Sequence, residues 1–196
     1  MKKKIILIGS GGHALSCIDV IEATKKYVIC GLVSDDKKPG TKILNYPILV
    51  GLNNVEKVLK ITKNLILAFG SIYDCEKRSK IFNKLKKKGF VFQSVVSPNS
   101  YVSKNSKIGP GTIVMHGSII NSGVEVGENC IINSNSLIEH DCILSSNCHV
   151  STSATLNGGV IVGKDSFIGS RSVIKEGCIL KSNSFVKMGQ VVKSNL

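Results

Sequence analysis

The chain has 196 residues, 42% of them hydrophobic and 20% charged, which is enough apolar content for a buried core and excludes a disordered tail protein. Aromatic residues make up 5%, Trp is absent and glycine reaches 19. The core must therefore be aliphatic, on a backbone rich in tight turns, and that composition points to repetitive β architecture. The formal charge of +13 is concentrated in the first half of the chain, which could attract nucleic acid, membrane phosphates or a small anionic substrate. Arginines are confined to Arg78 and Arg171 and aromatics for base stacking are few, so a phosphorylated small molecule is the expected partner and nucleic acid is not.

No apolar run approaches the roughly 18 residues needed to cross a bilayer. The apolar stretch after Lys4 stops at Gly9, short of a secretory core of about 7 to 15 residues. No membrane insertion and a cytoplasmic location are expected. The seven cysteines are odd in number and form no CxxC pair, so neither a disulfide framework nor a zinc knuckle is indicated. No pair of the four histidines shows close ligand spacing with a carboxylate or thiolate, and no metal site is expected.

Along the chain, residues 3–9 read as a buried strand ending in Gly9-Ser10-Gly11-Gly12-His13, and residues 14–26 carry apolar side chains at helical spacing. Residues 28–33 form a second strand that ends at Ser34-Asp35-Asp36. Residues 64–69 form a third that ends at Gly70, residues 74–88 a helix, and residues 91–95 a short strand. This alternation implies a small parallel sheet, whose ligands collect beyond the carboxyl ends of the strands. The glycine turn would let backbone N–H groups approach a phosphate at a helix start; a tight turn without ligand is the other reading. After Gly9 and Gly11, Ala14 stands where a full G-x-G-x-x-G has its last glycine, and a dinucleotide cofactor is not expected.

From Val96 the period changes. Every sixth residue from Val96 to Val192 is aliphatic, seventeen in all, and the position four after each is mostly small, for example Thr112, Ser136, Cys142 and Ala154. One inward aliphatic, a Gly/Asn/Asp turn and one small inward residue describe a side of a triangular parallel β-helix, with three hexads closing a coil of about 18 residues. His140 takes the third place of its hexad, an outward corner, and Asp141 follows it. His149 ends the next hexad. His116 holds a similar corner four hexads before His140 and reads as a surface residue.

A hexapeptide β-helix behind a domain that opens with Gly9-Ser10-Gly11-Gly12-His13, carrying Ile138-Glu139-His140-Asp141-Cys142 and then His149, resembles the bacterial sugar acetyltransferases of the PglD and NeuD type over almost the whole chain. The resemblance implies an α/β N-terminal domain with a small Rossmann-like parallel sheet (residues 1–95) that holds a nucleotide sugar. It implies a left-handed parallel β-helix (residues 96–196) and a homotrimer, with acetyl-CoA as co-substrate between neighbouring β-helices. His140 would be the general base and Asp141 its orienting acid. The backbone N–H of Gly158, one coil above His140, would hold the oxyanion, and His149 would meet the cofactor near its thioester. Ser170 and Met188, in an 18-residue ladder with Thr152, would contact the pantetheine arm, although Met188 stands where the family usually has glycine.

On the acceptor side, Gly11, Gly12, His13, Asp35, Asp36 and Gly70 match the family's nucleotide-sugar contacts. Asn133 matches a position near the sugar, or serves as a corner Asn supporting its turn. The implied reaction is N-acetylation of the C4 amine of a UDP-linked amino-dideoxy sugar for surface glycans. The alternatives are O-acetylation of a sialic-acid-like nonulosonate, N-acetylation of another nucleotide's sugar, or a noncatalytic trimeric scaffold. Loops at residues 34–48 and 71–74 would set selectivity. Family members usually continue past a segment like residues 191–193 into Gly-x-Pro-Ala-Lys, whereas this sequence stops at Leu196, so CoA affinity or the cap of the last coil is expected to differ.

Overall fold

The computed structural model describes residues 2–70, 72 and 75–196, Cys75 by its backbone only. The first half comprises β1 (Lys3–Ile8), α1 (Gly12–Thr24), β2 (Tyr27–Val33), β3 (Lys42–Ile43), β4 (Tyr46–Val50), a 3-10 helix (Leu52–Lys60), β5 (Asn64–Leu67), α2 (Cys75–Lys87) and β6 (Val91–Phe92). The strands form one sheet in the order β3-β4-β2-β1-β5-β6. Every neighbouring pair is parallel except β3 with β4. Ile5, Ile6 and Leu7 of β1 are buried on both faces, as a central strand covered on two sides must be. The β3–β4 hairpin and the 3-10 helix were not anticipated from the sequence. The hairpin turns through Leu44 at φ 51, a left-handed leucine that no Asn-Gly or Asp-Gly signal announces. The expected start of α2 at Asp74 lies outside the described residues, as do Ser71, Tyr73 and Asp74 of the second selectivity loop.

From Val95 onward, two-residue strands recur every six residues and pair in parallel with strands 18 residues away, as Ile113 does with Ile131 and Ile131 with His149. They stack into three faces of a left-handed β-helix. The first face carries the strands that begin at Val95, Ile113, Ile131, His149, Phe167 and Phe185. The second carries those that begin at Tyr101, Ile119, Leu137, Thr155, Val173 and Val191. The third carries those that begin at Lys107, Glu125, Ile143, Ile161 and Ile179. The six-residue aliphatic series fills the interior together with Cys130, Cys142, Cys148, Ala154 and Cys178.

The period of the corners is as strict as that of the core. Every sixth residue from Gly111 to Gly189 has a positive φ, six glycines and eight other residues, among them Asn129, Asn135, Asp141, Asn147 and Asp165. Asn and Asp bear this left-handed conformation more cheaply than other side chains because they hydrogen-bond locally. The corner thus explains why these residue types recur where they do.

The two halves meet along the first face. α1 lies between the sheet and that face, and its Ala14, Cys17, Ile18 and Ile21 share a core with Val95, Ile113, Met115 and Ile131. α2 and the 3-10 helix cover the other side of the sheet through Phe82, Leu85, Val55 and Val58. Two polar contacts mark the edges of the junction. His116 Nε2 meets Asp19 Oδ2 at 3.0 Å while its Nδ1 meets Ser97 Oγ at 2.6 Å, so His116 is a pin between the halves and not the free corner expected. At the other edge Lys86 Nζ reaches Glu128 Oε2 at 2.7 Å.

Candidate active site

His140 and Asp141 form the corner between the second and third faces. Asp141 has the left-handed φ of 59, which turns its carboxylate back toward the preceding ring, and His140 Nδ1 lies 2.9 Å from Asp141 Oδ2. A carboxylate only accepts, so Nδ1 carries the proton and Nε2 presents its lone pair. Neighbouring coils leave room for both side chains through glycine. A Cβ on Gly158 would lie 2.6 Å from His140 Nε2, and a Cβ on Gly123 would lie 2.4 Å from Asp141 Oδ1. The coil above is tied to this corner by Gly159 N–H donating to His140 O at 2.9 Å. The Gly158 N–H has no acceptor among the described residues, and the open Cβ side of this glycine faces the His140 ring. With 66% of His140 and 72% of Asp141 exposed, the pair can meet a second molecule.

A cleft of about 500 Å³ opens at the carboxyl ends of β1, β2 and β5. Its lining includes Gly9, Ser10, Gly11, Asp35, Asp36, Phe69, Gly70 and Lys77. A Cβ on Gly11, Gly12 or Gly70 would meet nothing within 4 Å, so the backbone there faces open space. Of the expected acceptor residues, Gly11, Asp35, Asp36 and Gly70 line this cleft. Gly12 lines a shallower depression beside it with Leu15 and Lys37. Asp35 has a local duty as well, since its Oδ1 accepts from Leu52 N–H at 2.7 Å and caps the 3-10 helix. Asp36 is held by Ser34, whose Oγ accepts from the Asp36 N–H at 3.2 Å.

His13 turns away from the cleft lining toward the β-helix. Burial, with the charges of Arg78 and His149 nearby, pulls its pKa from 6.5 down to about 3, and its Nε2 is buried without a hydrogen-bond partner among the described residues. His149 is 5% exposed, stands edge-on to Phe167 at 5.1 Å between ring centroids, and takes a long 3.5 Å contact from Asn133 Nδ2. Asn133 Oδ1 also accepts from Ser134 N–H at 2.9 Å, which is the turn-supporting role. Ser170 meets Ser151, Oγ to Oγ, at 2.8 Å, and Met188 is 80% exposed; with Thr152 they climb the corner between the first and second faces.

These placements divide the site in space. The N-terminal half, with its cleft, covers the first face from His116 at one corner to Asn129 at the other. The first face is the side of the prism opposite the corner that carries His140. Within one chain the cleft and the dyad therefore lie on opposite sides of the β-helix.

Comparison with known proteins accounts for both halves. The PglD N-terminal domain model matches residues 4–85, the bacterial transferase hexapeptide model residues 105–140, and the hexapeptide repeat of succinyl-transferase residues 159–194. Perosamine N-acetyltransferase from Caulobacter crescentus, solved with CoA and GDP-perosamine as a histidine-to-asparagine mutant, superposes with a TM-score of 0.92 at 28% identity. That match covers 98% of this chain and 90% of the other. The 1.0 Å structure of PerB from the same organism, also with CoA and GDP-perosamine, gives 0.91 at 29% over the same shares. Both halves of the chain thus match the PglD-type sugar acetyltransferases.

The acetyltransferase domain of PglB from Neisseria gonorrhoeae shares the fold of this PglD-type enzyme, with a TM-score of 0.88 at 22% identity over 100% and 93% of the two chains. No curated protein matches it. Three features of this PglD-type chain escaped the sequence reading. Arg78 is buried and donates from Nη1 to Phe69 O at 2.6 Å, and its Nε lies 3.4 Å from Asn129 O, so it joins the end of β5 to a β-helix corner. A buried lone arginine has no linear motif. Gly123, beneath Asp141, could have been found by stepping back 18 residues. Phe167 and Phe185, stacked at 5.2 Å above His149, occupy outward positions where the hexad rule predicts nothing.

Proposed function

We propose that the enzyme transfers acetyl from acetyl-CoA to the C4 amine of a nucleotide-linked amino-dideoxy sugar, in a homotrimer whose sites lie between subunits. Residues 1–95 hold the nucleotide sugar and residues 96–196 supply the chemistry. The observation that carries this reading is the His140–Asp141 pair, with Nε2 against the open Cβ side of Gly158. The amine attacks the thioester carbonyl carbon and passes a proton to Nε2 as the C–N bond forms. Gly158 N–H donates to the oxyanion. The tetrahedral species then expels the CoA thiolate, which takes the proton back from His140, so the imidazole and its Asp141 partner return to their starting state. Because cleft and dyad lie on opposite sides of one prism, the acceptor from one subunit reaches His140 of another. His149, Ser170 and Met188 are assigned to acetyl-CoA; Gly11, Gly12, His13, Asp35, Asp36, Gly70 and Asn133 are assigned to the acceptor.

A UDP sugar is the acceptor the resemblance favours, and the GDP-perosamine held in two of the matching structures supports a GDP sugar as the second reading. CoA release by purified protein, measured with UDP- and GDP-linked 4-amino sugars and with a free nonulosonate, separates these. Turnover with a nucleotide-linked amine is expected, and His140→Ala should reduce it about 10²- to 10⁴-fold. Undiminished transfer by that variant removes His140 as the base. Turnover of the free nonulosonate alone replaces the amine with a hydroxyl acceptor.

A further inference from the structure

The positive charge attributed above to a phosphorylated substrate is mostly elsewhere. The cleft at the strand carboxyl ends has Lys77 in its lining, whereas the opposite end of the same sheet gathers lysines from several elements. Lys2 and Lys3 open β1, Lys25 and Lys26 precede β2, Lys60 ends the 3-10 helix and Lys63 precedes β5. The backbone brings these segments side by side: Lys3 N–H donates to Lys26 O at 3.0 Å and Val91 N–H to Lys63 O at 2.9 Å. All six side chains are exposed, and none is among the ion pairs of the described residues. Glu22, near the end of α1, accepts from Tyr46 OH at 2.6 Å, and Glu56, in the 3-10 helix, pairs with Lys88. A lysine or two after each helix would answer the helix dipole; here strand starts and helix ends contribute alike.

Aliphatic side chains are set among these cations. Val28, Leu59, Ile61 and Val91 are between 38% and 47% exposed, and all four belong to the same strand starts and helix end. We infer that this end of the sheet is a docking surface for an anionic lipid bilayer, lysines against the headgroup phosphates and the four aliphatics at the headgroup boundary. Clusters of four to eight basic residues have this affinity, and apolar contact adds to it. A nucleic acid partner would call for arginine forks and stacking aromatics, and neither stands among the exposed groups of this end. The cleft, at the far end of the strands, stays open to its substrates while the surface is engaged.

Co-sedimentation of the full chain with vesicles of phosphatidylcholine containing about a third phosphatidylglycerol tests this. Binding is expected at low salt, with at least a tenfold loss in pure phosphatidylcholine and in Lys25→Glu/Lys26→Glu/Lys63→Glu. A control with equal charge change on the β-helix, Lys164→Glu/Lys175→Glu/Lys181→Glu, should bind as wild type does. Equal loss in both variants would overturn the inference by reducing it to net charge. So would absence of binding to the anionic vesicles, or a triple variant that keeps its lipid binding but loses binding to a transfer RNA probe. Acetyl transfer by the Lys25/Lys26/Lys63 variant should be unchanged, which distinguishes a lost surface from a lost fold.

Discussion

At the scale of single residues, the base depends on an atom that is missing. His140 Nε2 and Cε1 would lie 2.6 and 2.7 Å from a Cβ on Gly158, closer than side chains tolerate, while His140 is exposed enough to swing away. The backbone of Gly158 lies outside the left-handed region, so alanine fits there without strain on the chain. Gly158→Ala should therefore fold normally and lose about 10²-fold in kcat, the scale expected when a catalytic group is misplaced by about 1 Å. Its neighbour gives the opposite result. Gly159 has φ +66 and its Cβ would meet open space, so Gly159→Ala should cost roughly 1–2 kcal/mol of stability and leave the folded enzyme active. Thermal unfolding and steady-state kinetics on the pair separate the two roles, and equal activity losses would show that the contact between Gly158 and His140 does not govern the base.

At the scale of elements, the joint between α1 and the first face of the β-helix governs behaviour in acid. Burial holds His13 neutral, with Arg78 and His149 adding their charge, and it gains a proton only near pH 3 against 6.5 in an ordinary setting. Burial likewise pushes the Cys17 thiol, one turn along α1, up to about 12. Between pH 6.5 and 3 the unfolded chain carries a proton that the folded one refuses. The stability due to neutral His13 is thus complete above pH 6.5 and drains away as the pH falls toward 3. Urea unfolding should lose about 2 kcal/mol between pH 6.5 and 5, and His13→Gln should flatten that slope; an unchanged slope places the acid sensitivity on other groups. Nothing in Gly11-Gly12-His13 announces this role, because the groups that bury His13 come from α2 and from the first face, far along the chain. The aliphatic series from Val96 to Val192, by contrast, could be read in sequence because each hexad makes the same contacts as the next. The same fixed 18-residue step puts Gly158, which the resemblance had singled out, one coil above His140. Arg78 and the His116–Asp19 pin were not, because they bridge two periodicities.

At the scale of the whole molecule, the decisive relation is the one between the cleft at Gly11, Asp36 and Gly70 and the corner at His140. The N-terminal half is fastened to the first face by α1, by Arg78 at Asn129 and by His116 at Asp19. Its cleft cannot therefore be carried around the prism to the corner between the other two faces without breaking that core. If the enzyme works as proposed, acceptor and base come from different copies, and two inactive variants should repair each other. Gly70→Phe projects a ring into the open cleft and blocks the acceptor; His140→Ala keeps the cleft and removes the base. In a cyclic trimer that mixes the two, whichever is in excess, one interface joins an intact cleft to an intact base. Co-expressed variants, purified through two different tags, should recover a substantial fraction of wild-type activity, while each variant alone, or the two mixed after folding without exchange, remains inactive. Light scattering should give a trimer mass throughout. A site completed within a single chain would show no recovery in the mixed trimers, because every chain in them carries one of the two defects.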